Sequence, residues 1–162
     1  MLIYEINLGI GIGSVRLGSS PPDVRAAMGV APYRFNRRLA GHATDAWHGS
    51  AFQVNYQGYP PTVDFIELAN SSEFRVHYKG IDVFATPASD LVARLSAEAP
   101  YDLHHRELGY TYVFPTIELS LWRQVMPESD DDPIGRFFDA VGLGIGGYFS
   151  GQRHDVGSNA AD

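Results

Sequence analysis

Hydrophobic positions along this chain keep two different periods, and each change of period marks a new element. Residues 2–8 alternate apolar and polar side chains, which predicts an opening strand, and Gly9-Ile10-Gly11-Ile12-Gly13 follows as a glycine-spaced connection. The period then lengthens. Val24, Ala27 and Met28 fall on one helical face, bounded by Ser20 as N-cap, Pro21 at a first position that needs no amide hydrogen, and Asp23 three residues after the cap. Gly29 supplies the left-handed residue that closes such a helix. Residues 33–39, basic through Arg34, Arg37 and Arg38, read as an edge strand or loop arm.

From residue 44 the period is two. Segments 44–48, 51–56, 62–68 and 73–79 predict an antiparallel meander with a turn at Gly49-Ser50. In the second strand Phe52, Val54 and Tyr56 alternate with Gln53 and Asn55, and in the fourth Phe74, Val76 and Tyr78 alternate with Arg75, His77 and Lys79. One face is therefore buried and the other exposed.

The same pattern then returns, as an internal duplication would make it. Thr86-Pro87 restates Ser20-Pro21, Asp90-Leu91 restates Asp23-Val24, and a second helix is predicted over 87–96. Val113-Phe114-Pro115-Thr116 takes the place of the His48-Gly49-Ser50 turn, and Ile117, Leu119 and Leu121 match Phe52, Val54 and Tyr56 at an offset of 65, against about 67 for the helices. Residues 137–148 would close the second sheet. The expected fold is α+β, with two helix-plus-meander halves at 1–80 and 81–150, a polar tail at 151–162, sheets joined or adjacent, and each helix packed on one sheet face. The predicted core is Val24, Met28, Phe52, Val54, Tyr56, Phe74, Val76, Leu91, Leu95, Ile117, Leu119 and Leu121.

Composition narrows the chemistry. At 44% apolar and 19% charged, 162 residues can bury a sizeable core. A formal net charge of -7 argues against a general phosphate footprint, and hence against nucleic acid; it reads first as a solvated acidic surface and allows attraction to a basic partner. There is no cysteine, which excludes disulfides, thiolate nucleophiles and cysteine-ligated metals. The start of the chain has no basic stretch of the secretory type, and no apolar run reaches membrane-spanning length, so a cytoplasmic protein with no membrane partner is expected.

Glycines 9, 11 and 13 do not complete a dinucleotide fingerprint, and those at 142, 144, 146 and 147 have no helix after them, so they read as strand glycines. The adjacent His104 and His105 point to opposite faces of a strand, and no His-x-x-x-His spacing exists. Asp130-Asp131-Asp132, closed by Pro133 and Gly135, reads as a solvated loop before an interaction loop or a metal site. No Gly-x-Ser-x-Gly elbow is present. No catalytic residue, cofactor site or metal site is assigned.

Leu17-Gly18-Ser19-Ser20-Pro21-Pro22-Asp23-Val24-Arg25 with Gly29, and more weakly Phe84-Ala85-Thr86-Pro87 with Asp90-Leu91, resemble the repeat of the beta-lactamase inhibitor protein fold. The same unit occurs singly in the small lipoproteins of the outer-membrane barrel-assembly machinery. Lacking a signal peptide and cysteines, the chain is more similar to the cytoplasmic proteins of this shape found beside bacterial polymorphic toxins. That resemblance implies immunity by stoichiometric binding.

The expectation is a non-catalytic protein-binding module, an inhibitor or immunity protein against a basic toxin or enzyme domain. The alternative is a small-ligand-binding protein or enzyme with a pocket at the junction of the halves. Alternation sends Glu118, Ser120 and Trp122 to the outer face of the second sheet, and Gln53, Asn55, Arg75 and His77 to that of the first. Trp122 would anchor the partner, while Glu128, Asp130, Asp131 and Asp132 would steer it at the rim.

Overall fold

The computed structural model describes residues 1–37 and 41–150; Arg38 and Leu39 of the basic arm and the polar tail 151–162 lie outside them. In chain order the elements are β1 (Leu2–Asn7), β2 (Gly11–Ile12), β3 (Val15–Arg16), α1 (Pro21–Met28), β4 (Tyr33–Phe35), β5 (Thr44–Trp47), β6 (Phe52–Gln57) and β7 (Thr62–Ala69). They continue with β8 (Phe74–Tyr78), β9 (Ile81–Asp82), α2 (Ala88–Ser96), β10 (Thr111–Phe114), β11 (Leu119–Trp122) and β12 (Ala140–Gly144). The fold is mixed α+β, mostly sheet, with two helices and two sheets among the described residues.

The first helix forms as its local signals dictate. Ser20 Oγ accepts the Asp23 amide, Pro21 opens the helix, and Gly29 closes it at φ 74°. The second departs from that pattern. Pro87 occupies the cap position instead of the first helical one and cannot accept a side-chain bond, while Thr86 donates its hydroxyl to the Asp82 carbonyl. Leu91 and Leu95 hold α2 to the core.

Seven strands form the larger sheet in the order β10-β11-β12-β7-β6-β5-β4, and five the smaller in the order β3-β2-β1-β8-β9. Three strands of the expected four-stranded meander, β5, β6 and β7, do follow one another. The fourth leaves: β12 holds the free edge of β7, and β8 pairs in parallel with β1, setting Tyr4 beside Val76. Inner faces of both sheets and helices meet in one core, where Tyr4 of the smaller sheet packs edge-on against Phe52 of the larger. The predicted core residues are buried except Met28 and Ile117, which are half-buried.

Ile117 misses the strand because the chain turns at 115–118. Pro115 has no amide hydrogen to give a ladder, and Glu118 sits at φ 53°, so β11 begins only at Leu119. Val113 and Phe114 accordingly belong to β10, not to the turn. The offset between corresponding strands is therefore 67 residues and not 65: Thr44–Trp47 corresponds to Thr111–Phe114, and Phe52 to Leu119. Pro21 and Ala88, which open the helices, keep the same spacing. So do the registers, Asp45 opposite Val54 and Tyr112 opposite Leu121, and the turn bonds from Ala51 N to the His48 carbonyl and from Glu118 N to that of Pro115. The correspondence stops after β11, because residues 58–61 join β6 to β7 whereas 123–139 join β11 to β12.

Candidate functional site

Pairing of β7 with β12 brings the two meanders into one continuous sheet, so their outer faces form a single surface. Across its middle row run Tyr33, Ala46, Gln53, Glu67, Gly142, Ser120 and Val113, each opposite the next in the ladder. Asn55 lies in the next row with Phe35, Thr44, Phe65 and Gly144, and Trp122 in the row beyond Ser120, between Thr111 and Ala140. Gln53, Asn55, Ser120 and Trp122 are thus united on one face.

Arg75 and His77 are not on it. They lie on β8, opposite Ile3 and Glu5, on the outer face of the smaller sheet. Which sheet a strand joins is fixed by long-range pairing, which alternation along one strand does not encode.

Glu118 also has another task. Its turn conformation takes it out of the strand, and its carboxylate accepts the amides of Gly147, at 2.9 Å, and Phe149, at 2.6 Å. That clamp holds Tyr148 stacked on Phe65 at 4.7 Å, above the sheet centre. Gly142 and Gly144 permit this layer, since a Cβ on either would collide with Phe65 or Tyr148.

Trp122 is 42% exposed. It borders a groove of about 660 Å³ over the β7–β12 junction, lined also by Glu67, Ala69, Asn70, Asp139 and Ala140. Glu67 is held at 3.2 Å by Arg37, which also donates to Gln53, and Asp139 accepts the Gln124 amide at 2.8 Å. Both carboxylates therefore have fixed positions beside the indole.

In the loop joining β11 to β12, Glu128, Asp130 and Asp131 are exposed. Asp132 differs, because its carboxylate accepts the amides of Glu128 and Ile134, and these two bonds hold its pKa below the ordinary carboxylate range. It shapes the loop.

One polar node had no forecast in the sequence. Asp45, with no exposed side-chain surface, receives Arg25 Nε at 2.9 Å, Arg34 Nε at 3.4 Å and the Tyr56 hydroxyl at 2.8 Å. Burial above all, and then the bond to Asp45, pushes the Tyr56 hydroxyl pKa upward, so Tyr56 acts only as a donor. An Asp on the inward-facing half of an apolar strand was the available signal. A second tie crosses the sheets: Tyr4 OH and His48 Nε2 are 2.8 Å apart, and His48 Nδ1 lies 2.9 Å from Glu73.

Among the described residues no three His, Asp or Glu side chains converge to hold a metal, and no helix is long and apolar enough to cross a membrane. Comparison of the chain with protein-family models, with curated proteins and with solved structures finds no match.

Proposed function

We propose that this protein is a non-catalytic protein-binding module, a stoichiometric inhibitor or toxin-immunity protein that offers the outer face of its larger sheet to a basic partner domain. Trp122 carries this reading: a large, half-exposed aromatic beside a groove with two fixed carboxylates, Glu67 and Asp139. Aromatic anchors of this kind dominate interface energies, and carboxylates next to them accept a Lys or Arg of the partner. Ala69 and Ala140 leave room for that side chain to approach the sheet. The net charge of -7 steers a basic partner toward the molecule.

The reading as two related halves, 1–80 and 81–150, belongs to the same proposal. It is supported by the helix, two strands, their register and their turn recurring at one spacing of 67, from Pro21 to Ala88 and from Thr44 to Thr111. A cytoplasmic site of action, as for the immunity proteins it resembles, goes with it.

The test begins with a partner captured from the native host and re-made in pure form. Trp122→Ala should weaken the complex by about 2 kcal/mol, roughly thirtyfold in Kd. Glu67→Gln with Asp139→Asn should weaken it further, and neutralising Asp130 and Asp131 should chiefly slow association and flatten its salt dependence. Equal affinity of all these variants and the parent would refute the assignment of this face.

A further inference from the structure

Arg123, the first residue after β11, is 8% exposed, yet among the described residues it has no carboxylate partner. Its Nε donates to the Gly109 carbonyl at 2.8 Å and its Nη1 to the Gly135 carbonyl at 2.9 Å, and the guanidinium lies 5.6 Å from the centre of the Phe138 ring. The arginines paired with carboxylates among the described residues are Arg25, Arg34, Arg37 and Arg75. Two carbonyls and an aromatic face solvate this cation, but among the described residues no carboxylate comes within ion-pair distance of it, and a buried charge is costly until it is paired. Of five guanidinium N–H groups, carbonyls take two.

Arg123 borders a cavity of about 500 Å³ walled by Val92, Tyr101 and Tyr112, with the first turn of α2 along one side. No side chain caps that helix. Asp90, Asp130 and Arg136 also line it.

The first half of the chain tells what is missing. Val92, Tyr101, Tyr112 and Arg123 stand 67 residues after Arg25, Arg34, Asp45 and Tyr56; Val92 and Tyr112 keep the helix and strand places of Arg25 and Asp45, whereas Tyr101 lies in the loop after α2 and Arg123 just past the end of β11. There the four side chains satisfy one another around the buried Asp45 carboxylate. Here the polarity is inverted: the cation comes from the position of Tyr56, a tyrosine replaces the carboxylate, and the two other positions hold Val and Tyr. Where the first half has an internal carboxylate, the second has an open cavity and an unpaired arginine.

We propose that this cavity binds a small monocarboxylic acid, its carboxylate seated on Arg123 and its apolar or aromatic body against Val92, Tyr101 and Tyr112. One buried cation matches one negative charge. Asp90 and Asp130 offset the charge of Arg136 on the same wall, so a phosphate or other multiply charged anion gains no second net positive charge there. The site is separate from the sheet face proposed for the protein partner; its likeness to the Asp45 node rests on the reading as two related halves, while binding at Arg123 is tested without it.

Sodium benzoate is the probe, titrated into the full-length protein by calorimetry, with benzamide as neutral isostere and inorganic phosphate as competing anion. Benzoate should bind at least tenfold more tightly than either, and Arg123→Met should lose at least tenfold of that affinity. Because Arg123 also ties Gly109 and Gly135, a second variant guards against misfolding: Val92→Glu puts a carboxylate into the cavity, and should abolish benzoate binding with no fall in Tm. Benzoate that fails to bind, binds no better than benzamide or phosphate, or binds Val92→Glu as well as the parent would overturn the proposal.

Discussion

The guanidinium of Arg25 closes on the carboxylate of Asp45, Nε to Oδ2 at 2.9 Å, and so fastens α1 to the inner face of the larger sheet. Asp45 has no contact with water, and its charge is tolerable only because Arg25, Arg34 and Tyr56 surround it. Arg25→Met keeps most of the stem packing and removes the better-shielded of the two cations, leaving Arg34, whose side chain is more than half exposed. It should cost about 3 kcal/mol in urea unfolding. Adding Asp45→Asn to that variant should recover part of the loss, since the orphaned charge is then gone. A double variant no more stable than Arg25→Met alone would contradict this account.

Glu118 ties the chain end of the described fold to the sheet through two backbone amides. Charge-assisted bonds of this kind are stronger than neutral ones, and their loss leaves amides without partners. Glu118→Ala should destabilise the protein by about 2 kcal/mol. It should also weaken the near-ultraviolet circular dichroism of the Phe65–Tyr148 stack before global unfolding, which separates local release from general loss of stability.

Ser20, Pro21 and Gly29 were legible because a helix end is decided by the few residues around it. The common face of Gln53, Asn55, Ser120 and Trp122 was legible too, because alternation is a local property of strands. Arg75 and His77 went to the wrong sheet for the converse reason: β8 chooses β1, some seventy residues away in the sequence, over the neighbour it follows. The ionic node at Asp45 was hidden because Arg25, Arg34 and Tyr56 come from a helix and two other strands. The offset of 65 failed on local chemistry, where Pro115 and the positive φ of Glu118 end one strand and delay the next.

Glu98 accepts from the Tyr78 hydroxyl and from Lys79, which together hold its pKa below the ordinary carboxylate value. The unfolded chain then binds the proton more readily, so this contribution is complete above about pH 4.3 and is lost as the pH falls through the lowered value. The Lys79 pKa is raised chiefly by its bond to Glu98, so the alkaline limb has the opposite sign: its contribution is present at neutral pH and fades as the pH rises past that of a free lysine. Glu98→Gln should therefore lower Tm at neutral pH and converge with the parent in acid. A constant difference in Tm from neutral to acid pH would show that Glu98 acts through packing instead.

Gly142 is a strand position of the larger sheet with no room for a side chain. It is not there for a left-handed backbone; a Cβ would run into the Phe65 ring and Ser120 Oγ on the outer face. Phe65 is itself buried beneath Tyr148, so its ring has no free direction in which to move without lifting that layer. Gly142→Ala should cost about 1–3 kcal/mol, the range for overpacking a filled site. Gly146→Ala is the matched control, because nothing lies within 4 Å of a Cβ there, and it should stay within about 0.5 kcal/mol of the parent. If the aromatic layer rather than the sheet absorbs the strain, Gly142→Ala should also change the near-ultraviolet spectrum as Glu118→Ala does, and combining the two should cost less than their sum, since each loosens the same stack. Full additivity would mean that the methyl group pushes on the strands instead.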